Sequence, residues 1–220
     1  MVEAVIWDMD GVLIDSEPLW HEAEMAIFRT VGFAMTREHC LETQGMRVDK
    51  VVEYWHARYP WTSPPSLKDV EGALVQAVID NIQARGEALS GVRDTLAFLA
   101  GQGVRMAIAS SSPMIMIEAV VSMLAIGGYF EMLYSAEYEP YGKPHPGVYL
   151  STAAKLDVSP SECLVIEDSM RGILAAKAAE MRCLAVPDPA LRDDPRLAIA
   201  DWVLPSLALF DSAFWERIQP

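Results

Sequence analysis

The 220-residue chain reads as an α/β protein, a Rossmann-like parallel sheet core with helices on both faces, plus an inserted all-helical domain. Three observations predict this. Short runs rich in Val and Ile alternate with segments of helical periodicity. The runs end in polar clusters, and one long interval carries helical spacing with no strand signal.

The first strand is expected over residues 2–8, and Gly11 lets the backbone turn sharply just beyond it. The interval that follows holds helical patterns over 19–31, 48–59 and 67–85, broken at Gly32 and by Pro60-Trp61-Thr62-Ser63-Pro64-Pro65. A helical domain is therefore expected over 16–86, with 1–15 and 87–220 forming the core. Further strands are expected over 104–110, 132–135, 163–168 and 182–187. The apolar stretch 114–130 is broken by Glu118, Ser122, Gly127 and Gly128, which suits a buried helix with a Gly-marked end better than a membrane span.

Composition narrows the function classes. With 52% hydrophobic and 22% charged residues, the chain can bury a sizeable core. A formal net charge of −14 opposes binding to nucleic acid or an acidic membrane, and any phosphate ligand must be drawn in by local cations. Cys40, Cys163 and Cys183 are far apart, with no Cys-x-x-Cys spacing, as expected of structural thiols in a reducing compartment. Met1 runs almost directly into the first strand and leaves no room for a targeting segment. A cytoplasmic protein is expected, a monomer or weak homo-oligomer whose partner is a small molecule.

Four motifs fall at the carboxyl ends of strands, where an open α/β sheet places its ligands. Asp8-Met9-Asp10-Gly11 closes the first strand. Side chains two apart share a face, so the two carboxylates are expected to converge, which is costly without a cation between them. A calcium loop starting at Asp8 is excluded: its fifth and twelfth positions, which need an oxygen ligand and Glu, are Val12 and Leu19. Ser110-Ser111-Ser112-Pro113 ends a strand and opens a helix, forming either an anion site or a plain N-cap. Lys143-Pro144-His145-Pro146 offers either a solvated loop lysine or a cation for the site. His145 has no carboxylate beside it in sequence to orient it as an acid or base. In Glu167-Asp168-Ser169, Asp168 or Ser169 caps the next helix, or else Asp168 completes an all-oxygen site suited to magnesium. The shared sheet edge favours the metal reading.

Asp8-x-Asp10, Ser110, Lys143 and Glu167-Asp168 resemble the four motifs of the haloacid dehalogenase-like superfamily, and the helical interval resembles the cap of its α-helical-cap subfamily. The resemblance covers essentially the whole chain. Within that subfamily, Asp15-Ser16-Glu17-Pro18-Leu19-Trp20, Gly45-Met46-Arg47, Tyr54-Trp55, Pro60-Trp61 and Ser110-Ser111-Ser112-Pro113 are most similar to the bacterial 2-deoxyglucose-6-phosphate and hexitol-phosphate phosphatases.

The resemblance implies a phosphoric monoester hydrolase of carbohydrate metabolism, with a phosphorylated sugar or polyol as substrate. It makes Asp8 the nucleophile that forms an aspartyl-phosphate, and Asp10 the general acid and base. Mg2+ would be held by the Asp8 carboxylate, the Asp10 main-chain carbonyl and Asp168, with Glu167 orienting the metal's waters. Ser110 and the Ser111 backbone N–H would bind a phosphoryl oxygen, and Lys143 would balance charge. The presence of Asp10 disfavours carbon–halogen and phosphonate cleavage. A β-phosphoglucomutase-like phosphomutase shares every core motif and is the alternative, ahead of a non-catalytic phosphosugar-binding protein or a structural partner. Trp20 and Arg47 are the foremost cap candidates for holding substrate, with Glu17, Gln44, Tyr54, Trp55 and Trp61 also considered. Trp55 and Trp61 suit the core of the cap equally well.

Overall fold

A computed structural model describes residues 1–219. At its centre, β1 (Ala4–Trp7) runs between β2 (Arg105–Ser110) and β4 (Cys163–Glu167), with Trp7 in register with Ile108 on one side and Ile166 on the other. Adding β3 (Met132–Ser135), β5 (Arg182–Ala185) and β6 (Trp202–Val203) gives one parallel sheet of order β3-β2-β1-β4-β5-β6. All four β1 side chains are buried, as expected of a strand covered on both faces.

Strand alternation sorts the core into two layers. Val5, Trp7, Ile108, Leu164 and Ile166 join the layer of α5 (Val92–Gly101), α6 (Met114–Leu124) and α9 (Ser212–Ile218). Ala4, Ala107, Ala109, Cys163 and Cys183 face α7 (Gly147–Leu156) and α8 (Met170–Ala178). The small side chains of this second face let α7 and α8 lie close to the strands, which brings α7 within reach of the strand ends.

Between β1 and α5 the chain forms α1 (Glu17–Thr30), α2 (Arg37–Thr43), α3 (Val48–Arg58) and α4 (Leu67–Arg85). Helix α4 starts in a capping box: Ser66 Oγ accepts from Asp69 N at 3.2 Å, and the Asp69 carboxylate accepts from Ser66 N at 2.8 Å. Helix α2 has no counterpart among the sequence-predicted elements. It is only seven residues long, and its capping box uses His39 in place of the usual Glu or Gln. The two-residue edge strand β6 is likewise too short to register as periodicity. Helix α6 stops at Leu124, before the glycines expected to end it; Ala125 takes the left-handed conformation at φ 53° and a 3₁₀ turn follows over Gly127–Tyr129. Among the described residues no helix is long and apolar enough to cross a membrane.

The four inserted helices surround an aromatic cluster. Phe33 stacks on Tyr59 at a centroid distance of 4.0 Å and lies 5.3 Å from Trp55, and Phe28 meets Phe33 and Trp61 edge-on. Trp55 is 1% exposed, and its indole N–H donates to Thr43 Oγ1 at 3.3 Å. Trp55→Ala is therefore expected to cost about 3–5 kcal/mol, read as a lowered denaturation midpoint; a midpoint within error of the parent's would show that this cluster does not hold the helices together.

Candidate active site

The strand order reverses at β1, which continues to β2 on one side while β4 pairs on the other, and the crevice lies beyond these strand ends. Asp8 follows β1 directly, its backbone N–H donating to Ile166 O at 3.0 Å. The chain then turns so tightly that a Cβ on Gly11, at φ +77°, would lie 2.1 Å from Asp168 Oδ2. From the loop before α7, Lys143 reaches back under the sheet edge. Its ammonium donates to Asp8 Oδ1 at 2.6 Å, Glu167 Oε1 at 2.7 Å and Ala109 O at 3.2 Å, which occupies all three N–H bonds.

Glu167 continues the alternation of Cys163 and Val165 and so faces the α7–α8 layer. There it accepts from Lys143, from Tyr149 Oη at 2.7 Å, from Asp168 N and Ser169 N at 3.0 Å each, and from Ser169 Oγ at 3.1 Å. Gly172 makes room, since a Cβ there would lie 1.6 Å from Glu167 Oε1. Ser169 also caps α8 by accepting from Gly172 N at 3.1 Å, which leaves the Asp168 carboxylate free for the crevice.

These partners divide the acids. Burial acts to raise Glu167, but the Lys143 charge and the ring of hydrogen bonds hold it below the usual carboxylate range. Asp8 goes the other way: burial outweighs Lys143, and Glu167 and Asp10 add repulsion, pushing it up to about 8. Burial, then Glu167 and Asp8, push Asp168 well above the ordinary range. Lys143 is itself desolvated, yet Asp8 and Glu167 raise it, so it stays charged. One oxygen from each of Asp8, Glu167 and Asp168 lies within 4.8 Å of the others. With Glu167 fully occupied by donors and Asp168 taking none among the described residues, Asp8 and Asp168 fit a shared divalent cation.

Asp10 is held apart from that pair. Its Oδ1 accepts from Ser16 Oγ at 2.6 Å and Trp20 Nε1 at 3.1 Å, and its Oδ2 accepts from Ser112 Oγ at 2.7 Å. Asp10 is thus oriented by groups from α1 and from the β2–α6 loop, and strand alternation plays no part, because β1 ends at Trp7. Ser16 stands at the N-cap of α1 but makes no capping bond, since its hydroxyl turns to Asp10. Ser110 Oγ accepts from Ser112 N at 3.1 Å, and Ser135 Oγ donates to Ser112 O at 2.7 Å, which steadies the loop. Ser111 Oγ is buried with no hydrogen-bond partner among the described residues, and Ser111 lines the cavity.

The crevice closes under α1 and α2 into a cavity of about 100 Å³. Asp8, Asp10, Ser110, Ser111, Lys143 and Asp168 line it from the core, and Trp20, Glu17 and Gln44 from the inserted helices. Arg47 is not among the lining residues. It makes a bidentate pair with Asp49 at 2.7 and 2.8 Å and donates to Ala136 O and Glu139 O at 3.0 and 2.8 Å. The expected reach of Arg47 into the site is corrected accordingly: its guanidinium ties the helical insertion to the loop after β3. Tyr54, Trp55 and Trp61 also lie outside the cavity lining, because their rings pack among the inserted helices. His145 Nδ1 accepts from Gly147 N at 3.1 Å, a local turn contact.

The sequence reading missed Ser16, Ser112, Tyr149 and Gly172. Ser16 and Ser112 look like helix-start residues in sequence, and only the fold turns them toward Asp10.

This fold and crevice are those of a hydrolase family, and comparison identifies which one. A family model for the haloacid dehalogenase-like hydrolases matches residues 2–180, and the chain belongs to that family. It is 45% identical over 205 residues to hexitol phosphatase B of Escherichia coli strain K12, covering 93% of this chain and 92% of that protein. Among solved structures, a variant of CbbY from Rhodobacter sphaeroides in complex with xylulose-(1,5)-bisphosphate superposes with a TM-score of 0.86 at 25% identity, covering 95% and 96% of the two chains. The β-phosphoglucomutase of Clostridium difficile shares the fold, with a TM-score of 0.84 at 23% identity over 99% and 96% of the chains.

Folding lifts Asp8 up to about 8 and Asp168 well above the ordinary value of 3.8, so the cation-free protein keeps their contribution in acid and loses it as pH rises, the Asp8 part through about 8. A divalent cation competes with those protons. Its thermal stabilisation is expected to be larger at about pH 8 than at about pH 5, and equal Tm shifts would argue against a cation shared by these acids.

Proposed function

We propose that the chain is a magnesium-dependent phosphatase that hydrolyses small sugar or polyol phosphate monoesters through an aspartyl-phosphate intermediate. The observation that carries this reading is the arrangement of Asp8: one oxygen is fixed by Lys143 at 2.6 Å, beside the Asp168 carboxylate, which takes no donor among the described residues. The names of the relatives support the same class of substrate.

In this reading Asp8 and Asp168, with the Asp10 main-chain carbonyl, would hold Mg2+. Glu167, whose oxygens are taken by Lys143, Tyr149, Asp168 N and Ser169, supports the site by fixing Lys143 and the Asp168 backbone instead of orienting the metal's waters as the resemblance implies. When bound, the metal offsets repulsion between the anionic nucleophile and the phosphate. The free Asp8 oxygen attacks phosphorus, and the ester P–O bond breaks. Ser110, the Ser111 backbone N–H and Lys143 stabilise charge on the phosphoryl oxygens, and the unpartnered Ser111 hydroxyl adds a donor there. Asp10 gives a proton to the departing alkoxide, then takes one from the water that cleaves the acyl phosphate and restores Asp8. Trp20 Nε1 can only donate, which keeps Asp10 Oδ1 an acceptor, whereas the Ser112 hydroxyl opposite Oδ2 can turn round. Oδ2 is therefore the oxygen that carries the transferred proton.

The helical insertion, residues 16–86, acts as a cap over a core of 1–15 and 87–220. It contributes Trp20 to the ceiling of the site and excludes bulk water. Three buried free cysteines suit the reducing cytoplasm.

Phosphate release from sorbitol 6-phosphate and 2-deoxyglucose 6-phosphate is expected with magnesium and is expected to be lost with chelator. Conversion of β-glucose 1-phosphate to glucose 6-phosphate without release would replace the phosphatase reading with a mutase. Asp8→Asn is expected to lower kcat by at least about a thousandfold with the thermal melt retained; wild-type turnover by this variant would remove Asp8 as the nucleophile.

A further inference from the structure

Beyond Trp20 the cavity runs on into the inserted helices, toward a group that the chemistry at phosphorus does not use. Glu24 follows Trp20 by four residues, so both stand on one face of α1, with Glu24 about 6 Å farther along the axis. Trp20 touches Asp10, the group that serves the ester oxygen, so Glu24 marks the far end of whatever chain that oxygen carries. Glu24 is 6% exposed, lines the cavity and makes no ion pair among the described residues. Its neighbour is the Cys40 thiol, a weak donor that also reaches Thr36 O at 3.4 Å. Gln44 lines the same end, and its amide has no hydrogen-bond partner among the described residues.

A carboxylate buried with only a thiol as donor is unfavourable. A ligand that donates hydrogen bonds would repay it. Burial, only partly offset by the thiol, lifts Glu24 up to about 7, so near neutrality the group both accepts and donates.

Charge then limits what the ligand can be. Among the described residues, Asp8, Asp10, Glu17, Glu24 and Asp168 line the cavity against a single Lys or Arg, namely Lys143, which is occupied by Asp8 and Glu167. His21, at 3.6 Å from Glu17, is held below its usual value by burial and then by Arg37, so it adds no charge at neutral pH. Arg47 is tied down elsewhere. Arg37, whose charge reaches Glu17 and His21, does not line the cavity, so a second phosphate at this end would meet carboxylates with no Lys or Arg among the described lining residues to receive it.

We infer that this end of the cavity is a hydroxyl-recognition subsite, in which Glu24 and Gln44 bind the uncharged polyol end of a monophosphate and turn away substrates with a second anionic group. The inference rests on the phosphatase reading above and narrows its substrate class to monophosphates with a neutral, hydroxyl-bearing end.

The test is the ratio of kcat/KM for sorbitol 6-phosphate to that for acetyl phosphate, which has no polyol, in the magnesium-loaded protein. This ratio is independent of the fraction of active molecules. Glu24→Leu is expected to lower it about 10- to 100-fold, mainly through KM for sorbitol 6-phosphate. Glu24→Gln, which keeps an acceptor and the shape, is expected to lower it less, and it reports even if the leucine variant does not fold. The parent protein is expected to discriminate against glucose 1,6-bisphosphate by a similar or larger factor. Unchanged ratios in the variants, or a bisphosphate hydrolysed as well as the monophosphate, would overturn the subsite. No turnover of either phosphate ester or acetyl phosphate by the parent protein would instead remove the phosphatase reading, and the subsite with it.

Discussion

Lys143, buried between Asp8 and Glu167 at 2.6 and 2.7 Å, is the contact on which the rest of the crevice depends. Neither carboxylate could be held dry at the sheet edge without it, and the ammonium could not be buried without them. The pair also fixes the backbone. Lys143 must arrive from the loop before α7, Tyr149 must lie one layer below, and α8 must carry a glycine where Glu167 approaches it. The small residues on that face of the sheet admit helices close enough to meet these demands. Packing on one face thus serves the chemistry at the strand ends.

The same ion pair leaves the crevice short of positive charge. One lysine balances two acids, while Asp168 lies beside Asp8 with no donor among the described residues. A site arranged this way attracts a cation, and the overall acidity of the chain means that a phosphate is drawn in only where such local charge is concentrated. Low dielectric beneath the inserted helices strengthens each of these interactions.

The helical insertion is coupled to the core by side chains from both partners. Trp20 and Ser16 reach Asp10 from α1, and Arg47 grips the Ala136 and Glu139 carbonyls from the start of α3. The residues that cover the crevice are thus also those that orient the Asp10 carboxyl.

The sequence by itself determined the α/β class, five of the six strands, the helical interval and the acids, hydroxyls and lysine that meet at one sheet edge. Those features are local, because apolar runs set strand burial and short motifs at strand ends are carried to the same edge by any parallel sheet. Only the tertiary structure decided which polar group serves which partner. Ser169 caps α8 and frees Asp168, Ser16 forgoes capping to hold Asp10, Arg47 serves as a tether, and Glu24 is a buried carboxyl facing the cavity. Hydroxyls, guanidinium groups and carboxylates at helix ends have several partners of similar energy within reach, and the choice falls to whichever neighbours the packed fold delivers.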